Sequence, residues 1–332
     1  LPSQLGRRKT SHERGQSRCF RLLGQSRKLS TMVVELDKDN LSEVIANNDN
    51  ATDLDALMIE TYQNDAASLH TLMAAVAGMT TKARIMPAVM VVPYRPAVLT
   101  ARQIATIDVA SGGRITVGCG TGWMREEFEA VDAPPFEHRG RVTDEFIKAF
   151  RELWTNEEPE FDGEFVRFSN IYSKPLPVQR PHPPIWIGGD SMPAMRRVVR
   201  LGDGWFPVGA DDRGGDPRYP LNTLERYGAA VKRLHEIADE VGRDPASITL
   251  AFWAVWYADS DDRRQVGQRA HSVDGEDHML LGSSEKVASD ILAMGEMGVS
   301  TIVFNFVRDT LEESQASMER FASEIMPLVR AG

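Results

Sequence analysis

From Met32 onward, short runs rich in Val, Ile, Leu and Met alternate with longer stretches whose apolar residues recur three or four apart. The short runs read as buried strands and the longer ones as amphipathic helices. The pattern predicts strands over 30–36, 54–60, 83–92, 113–118, 183–189, 204–208, 247–258 and 300–306. Helices are predicted over 39–47, 65–80, 95–111, 192–202, 219–242, 283–298 and 310–329. Gly78 and the pair Gly112-Gly113 end two of them, and Ser283, Ser284 and Glu285 open another with capping chemistry. Pro87 interrupts the third strand. After the fourth strand comes a long excursion, 124–183. It holds a helical 125–131, a break at Pro134-Pro135, a helix over 139–155, and an alternating stretch over 161–173 that reads as a hairpin.

Strands that alternate with helices pair in parallel through helical crossovers. The eight units predict an α/β fold, a (β/α)8 TIM barrel with an insertion after the fourth strand; an open doubly wound sheet is the alternative. Either architecture gathers a ligand site at the C-terminal ends of the strands.

Charge divides the chain in two. The net charge is −10, yet residues 1–31 carry eight Lys/Arg against the single acid Glu13. That basic head is expected to be a disordered extension, 1–31, ahead of one domain, 32–332. The acidic remainder argues against nucleic acid as a partner. No apolar run reaches a membrane span. Two cysteines, Cys19 and Cys119, suggest no disulfide framework, so a cytoplasmic protein is expected.

Candidate chemistry lies where strands end. Two glycine-rich ends, Gly118-Cys119-Gly120-Thr121-Gly122 and Gly188-Gly189-Asp190-Ser191, run toward helices, where free N–H groups favour phosphate. Neither is a GxGxxG fingerprint with a ribose-binding acid, nor a Walker loop. The seven histidines are scattered and form no metal pair, so no metal is expected. Glu126-Glu127 at a helix start reads as a dipole complement, and Cys119 as a small core filler. Tyr62, Trp123, Trp205 and Phe206 are aromatic candidates for a pocket wall.

Taken together, "SGGRITVGCGTGWMREEFEAV", "PPIWIGG" and "RLGDGWFP" resemble the luciferase-like monooxygenase superfamily, and most closely its actinobacterial branch dependent on the deazaflavin coenzyme F420. The resemblance is densest over residues 84–207. It implies a TIM barrel with a flavin or deazaflavin in its mouth and a small organic substrate, in an enzyme expected to be a homo-oligomer, a dimer. It assigns Gly118, Gly120, Thr121 and Gly122, with Gly188, Gly189, Asp190 and Ser191, to holding the cofactor's phosphate-bearing chain. It also places a non-proline cis peptide at Ala88-Val89, under the flavin ring. Coenzyme F420 is the first cofactor implied; reduced FMN with oxygen is the alternative, and a cofactor-binding protein without turnover is a third reading. The sequence departs from F420-dependent alcohol dehydrogenases at two places: Thr61 replaces their His and Trp123 their Glu. Glu60 and Tyr62, on one face of the second strand, are the remaining acid–base candidates. Hydride delivery to an activated alkene, which needs little proton movement, is expected over alcohol oxidation.

Overall fold

The computed structural model describes residues 32–35, 56–60, 69–208, 221–254, 258–259, 278–306 and 311–331. The basic head, the helix expected over 39–47, Thr61 and Tyr62 lie outside the described residues.

The short apolar runs form parallel strands: β1 (Met32–Glu35), β2 (Ala56–Glu60), β3 (Arg84–Pro87), β4 (Met90–Val91) and β5 (Val117–Gly120). After the hairpin β6 (Phe161–Asp162) and β7 (Arg167–Phe168) come β8 (Ile185–Gly188), β9 (Gly204–Phe206) and β10 (Thr249–Ala254). Then follow β11 (Ala258–Asp259), β12 (Leu281–Gly282) and β13 (Val299–Asn305). Nine of these make one sheet in the order β3-β2-β1-β13-β10-β9-β8-β5-β4. The two ends of that order, β3 and β4, are consecutive in the chain, with only Ala88-Val89 between them. Ile85 in β3 also bridges Ile115 in parallel: Ile85 N–H donates to Arg114 O at 2.9 Å, and Thr116 N–H to Ile85 O at 3.0 Å.

Helices α1 (Leu69–Met79), α2 (Ala97–Ser111), α3 (Arg125–Ala130), α4 (Arg139–Thr155) and α5 (Met192–Leu201) lie between strands. So do α6 (Leu224–Glu240) and α7 (Ser284–Glu296); α8 (Leu311–Arg320) and α9 (Met326–Ala331) follow the last strand. Period-two alternation sorts the strand residues between two cores. In β10, Leu250, Phe252 and Ala254 join the large core under the helices. Ala251, between them, joins a small second cluster with Met86, Phe206 and Val303, against which Ala88, Val89, Trp186 and Trp253 pack.

Several elements differ from the sequence expectation. β5 runs on through Gly118, Cys119 and Gly120, because Met90 and Val91 pair with Cys119 and Gly120 on one side and Ile187 pairs with Cys119 on the other. Gly188 and Gly204-Trp205-Phe206 lie inside strands, as the pattern predicted. The helix expected from 219 begins at Leu224, where Thr223 Oγ1 accepts the Arg226 N–H at 3.3 Å as an N-cap. The last helix is broken by a π-helical turn at Phe321–Ile325. The excursion does contain the hairpin, β6 against β7, and one carboxylate fastens it: Glu145 accepts the N–H groups of Glu164, Phe165 and Val166. Among the described residues no helix is long and apolar enough to cross a membrane.

One buried base makes stability depend on pH. His70 is 6 % exposed, with Nε2 3.3 Å from Met90 Sδ. Burial, then the nearby Arg95 cation, lowers its pKa from 6.5 to about 4, while Gln103 opposes the shift. Between those values the unfolded chain binds a proton that the native imidazole refuses, so this contribution is lost as pH falls from 6.5 to about 4. The loss amounts to roughly 3 kcal/mol at most. His70→Gln is therefore expected to flatten the acid limb of the stability curve. Denaturation midpoints of both proteins from pH 7 to 4 check this, and parallel curves would refute it.

Candidate cofactor site at the strand ends

The site begins with the bulge between β3 and β4. The Ala88–Val89 peptide bond is cis, as the resemblance implied. Around it, three positions of the neighbouring strands lack side chains. A Cβ built on Gly118 would lie 2.0 Å from Pro87 O; one on Gly120 would lie 2.5 Å from Val89 Cγ2, and one on Gly188 3.1 Å from Val89 Cγ1. The room left by these glycines is taken up first by the protein's own third strand, which rises over them. Gly122 serves a turn: its φ is +77°, and a Cβ there would meet Phe128 and Val91. Thr121, between Gly120 and Gly122, is half-buried.

The second glycine-rich end turns sharply at Gly189, φ +100°, a conformation that favours glycine. Asp190 is buried. Ser191 is the N-cap of α5, its Oγ accepting the Ala194 N–H at 3.4 Å. The helix N-terminus thus opens beside the turn, with a hydroxyl and backbone N–H groups together. Trp205 holds the turn from behind, donating its Nε1–H to Gly189 O at 2.9 Å. Farther along α5, the buried Arg197 donates through Nε to Asp144 of α4 and through Nη2 to Gly140 O at 3.1 Å.

The aromatic side chains divide differently from the sequence expectation. Trp205 faces the helices, stacked on Tyr227 at 5.7 Å and 2°, and Trp123 is 48 % exposed. Of the aromatic candidates among the described residues, Phe206 joins the small inner cluster and Trp123 and Trp205 do not. Its ring lies 6.1 Å from Trp186 and 6.3 Å from Trp253, nearly parallel to the latter at 11°. Sequence reasoning passed over Trp186 and Trp253. The signal was present: Trp186 alternates with Ile185 and Ile187, and Trp253 with Phe252 and Ala254, all four in the large core.

The acid–base candidates fare unevenly. Glu60 is the last residue of β2, in register with Glu35; Tyr62 lies outside the described residues. Glu127 is more than a dipole complement, since its Oε2 accepts the Tyr94 hydroxyl at 2.5 Å. Burial, then this bond, holds the Tyr94 phenol well above its ordinary pKa. Cys119 is buried in the large core, its thiol pushed up to about 12 by burial, so it is a packing residue and not a nucleophile. Among the described residues no cluster of ligating side chains could hold a metal ion.

In a parallel α/β sheet, ligand sites gather at the C-terminal ends of the strands, where these glycines and aromatic side chains lie. The model of the luciferase-like monooxygenase family matches residues 37–281, and the chain belongs to that family. It is 32% identical over 291 residues to an FMNH2-dependent dimethylsulfone monooxygenase of Pseudomonas putida, covering 79% of this chain and 77% of that one. It is 28% identical over 300 residues to the pyrimidine monooxygenase RutA of Allorhizobium ampelinum, covering 79% and 78%. Its fold is shared by an F420-dependent secondary alcohol dehydrogenase solved with an F420–acetone adduct, at a TM-score of 0.71, 18% identity, and coverage of 91% and 99%. The family is one of enzymes, and among these relatives both FMN and F420 serve as cofactor.

Proposed function

We propose that this protein is a monooxygenase that uses reduced FMN and dioxygen on a small organic substrate. The observation that carries the reading is the 32% identity, over most of both chains, to an FMNH2-dependent enzyme. The deazaflavin placed first by sequence motifs now comes second. The departures at Thr61 and Trp123 from F420-dependent dehydrogenases agree with that order. We extend the proposal to the architecture: a closed (β/α)8 barrel, with residues 124–183 inserted after its fourth strand. The Ile85–Ile115 bridge and the β4–β5 pairing support closure.

The residues present fit a flavin in kind. Gly189, Ser191 and Met192 offer backbone N–H groups, and Ser191 a hydroxyl, to a phosphate; Pro193 has no N–H and that of Ala194 is taken by Ser191 Oγ. Val89, Phe206, Trp186 and Trp253 offer an apolar surface to a flat ring. Held there, reduced FMN would supply the electrons for placing one atom of dioxygen on the substrate and releasing the other as water. The protein's own part is to bind, orient and keep water away. The bulge at Val89 sets the level at which a ring can rest, and the inner cluster beneath it is closed by Met86, Ala251 and Val303, each 3 % exposed or less.

Titration with reduced FMN and with reduced F420 tests the assignment. Tighter binding of FMN is expected, and tighter binding of F420 would overturn the cofactor. Gly189→Val is expected to weaken FMN at least tenfold or so, because a β-branched residue cannot hold φ +100° without strain. Undiminished affinity would remove the phosphate assignment.

A further inference from the structure

One polar hydrogen in the inner cluster has no hydrogen-bond partner among the described residues. Trp253 is the fifth residue of β10, near its C-terminal end. Its backbone N–H donates to Pro207 O at 3.0 Å, and its register partner in β13 is Val303. Its ring is stacked on Phe206 and only partly buried. The indole Nε1–H, by contrast, is shut off from water and has no hydrogen-bond partner among the described residues. The side chains that share its cluster are Met86, Ala88, Val89, Phe206, Ala251, Val303 and Trp186. None of them offers an oxygen. Trp186, the other indole, turns its Nε1 toward Gly204, where a Cβ would come within 2.8 Å.

A buried donor left unpaired costs free energy, and folded proteins rarely tolerate one without a reason. Phe at this position would stack equally well on Phe206 and carry no such cost. The N–H therefore marks a place that a ligand completes. The level is the right one: Phe206 pairs in register with Gly188, whose Cβ position abuts Val89. Trp253, Phe206 and Val89 thus line one rim.

We propose that the Trp253 indole N–H is a recognition group of the active site, donating to an acceptor oxygen of the molecule held against the aromatic wall. That oxygen belongs either to the flavin ring or to an organic substrate bearing a sulfone- or carbonyl-type oxygen. The proposal rests on the flavin-binding reading and adds to it a specificity-determining residue. It selects for ligands with a compact acceptor in an otherwise apolar pocket, and it disfavours those that would leave the N–H unpaired.

The experiment uses the full chain, labelled with nitrogen-15, and follows the indole resonances of its six tryptophans. Trp253→Phe assigns the Trp253 signal by its disappearance. FMN is added first, then dimethyl sulfone to the FMN-loaded protein. A downfield shift of the Trp253 N–H on the first addition, with FMN bound about tenfold more weakly by Trp253→Phe, assigns the oxygen to the flavin. A shift on the second addition alone, with FMN affinity unchanged in the variant, assigns it to the substrate. If the parent binds FMN and the Trp253 signal moves in neither step, the proposal is overturned while the flavin reading stands. If the parent binds no FMN, the flavin reading fails and this proposal with it.

Discussion

Gly118→Ala is expected to cost about 3 kcal/mol of stability or more, the largest effect of any single methyl group added to the described sheet. The new Cβ would lie 2.0 Å from Pro87 O and 3.2 Å from Met86 Cε. The first of these is a backbone atom of β3, a strand paired with β2, so it cannot step aside as a side-chain terminus can. Gly120→Ala is expected to cost less, because its 2.5 Å neighbour is a methyl of Val89. Gly78→Ala provides the contrast. It lies in α1 with nothing within 4 Å of its Cβ position, so it is expected to stabilise by about 0.5–1 kcal/mol. Urea midpoints of the three variants check the ranking; a Gly118→Ala protein as stable as the parent would show that the strands do not meet as described.

Asp144→Ala should be nearly as damaging, for an electrostatic reason. Arg197 has a side chain only 7% exposed, and Asp144 takes its Nε–H. Arg200 approaches the same carboxylate at 3.3 Å from solvent. Removing the carboxylate leaves a buried guanidinium with Gly140 O as its remaining hydrogen-bond partner of those described here. Breaking such a pair from one side costs roughly 3–5 kcal/mol. Replacing both partners, as Asp144→Leu with Arg197→Met, is expected to recover most of that loss, since two apolar side chains carry no desolvation penalty. Chemical denaturation of the single and double variants measures the difference. An Asp144→Ala loss below about 1 kcal/mol would place the pair among weak surface bridges. Because Arg197 belongs to the helix capped by Ser191, the single variant should also weaken FMN binding.

The strand–helix alternation was legible because buried strands and amphipathic helices leave different periods. "GRITVG" and "TLAFWA" read as strands from composition alone, and α7 announced its start at Ser283. What composition could not give was the extent of each strand around glycine. Gly118 and Gly120 look like a turn in sequence, yet the hydrogen bonds of Met90, Val91 and Ile187 carry β5 through them. A glycine's place in a sheet depends on what lies across from it, here the Val89 bulge, and that is a tertiary fact. The same holds for the aromatic residues. Trp205 and Phe206 are neighbours in sequence but face opposite sides of the sheet, one toward Tyr227 and the other toward Trp253. The sorting follows from period-two alternation once the strand is known, so Trp186 and Trp253 could have been found from the same rule. The Glu127–Tyr94 bond and the Arg197–Asp144 pair span 33 and 53 residues of chain, and no local pattern points to them.

A crystal structure of the protein with FMN tests most directly whether the strand-end glycines and the Ser191 helix form a flavin site. The expected result places the phosphate within hydrogen-bonding distance of Ser191 Oγ and of the backbone N–H groups of Gly189, Ser191 or Met192, with the ring against Val89 and Phe206. A flavin bound elsewhere, or a phosphate held away from Gly189 and Ser191, would contradict it.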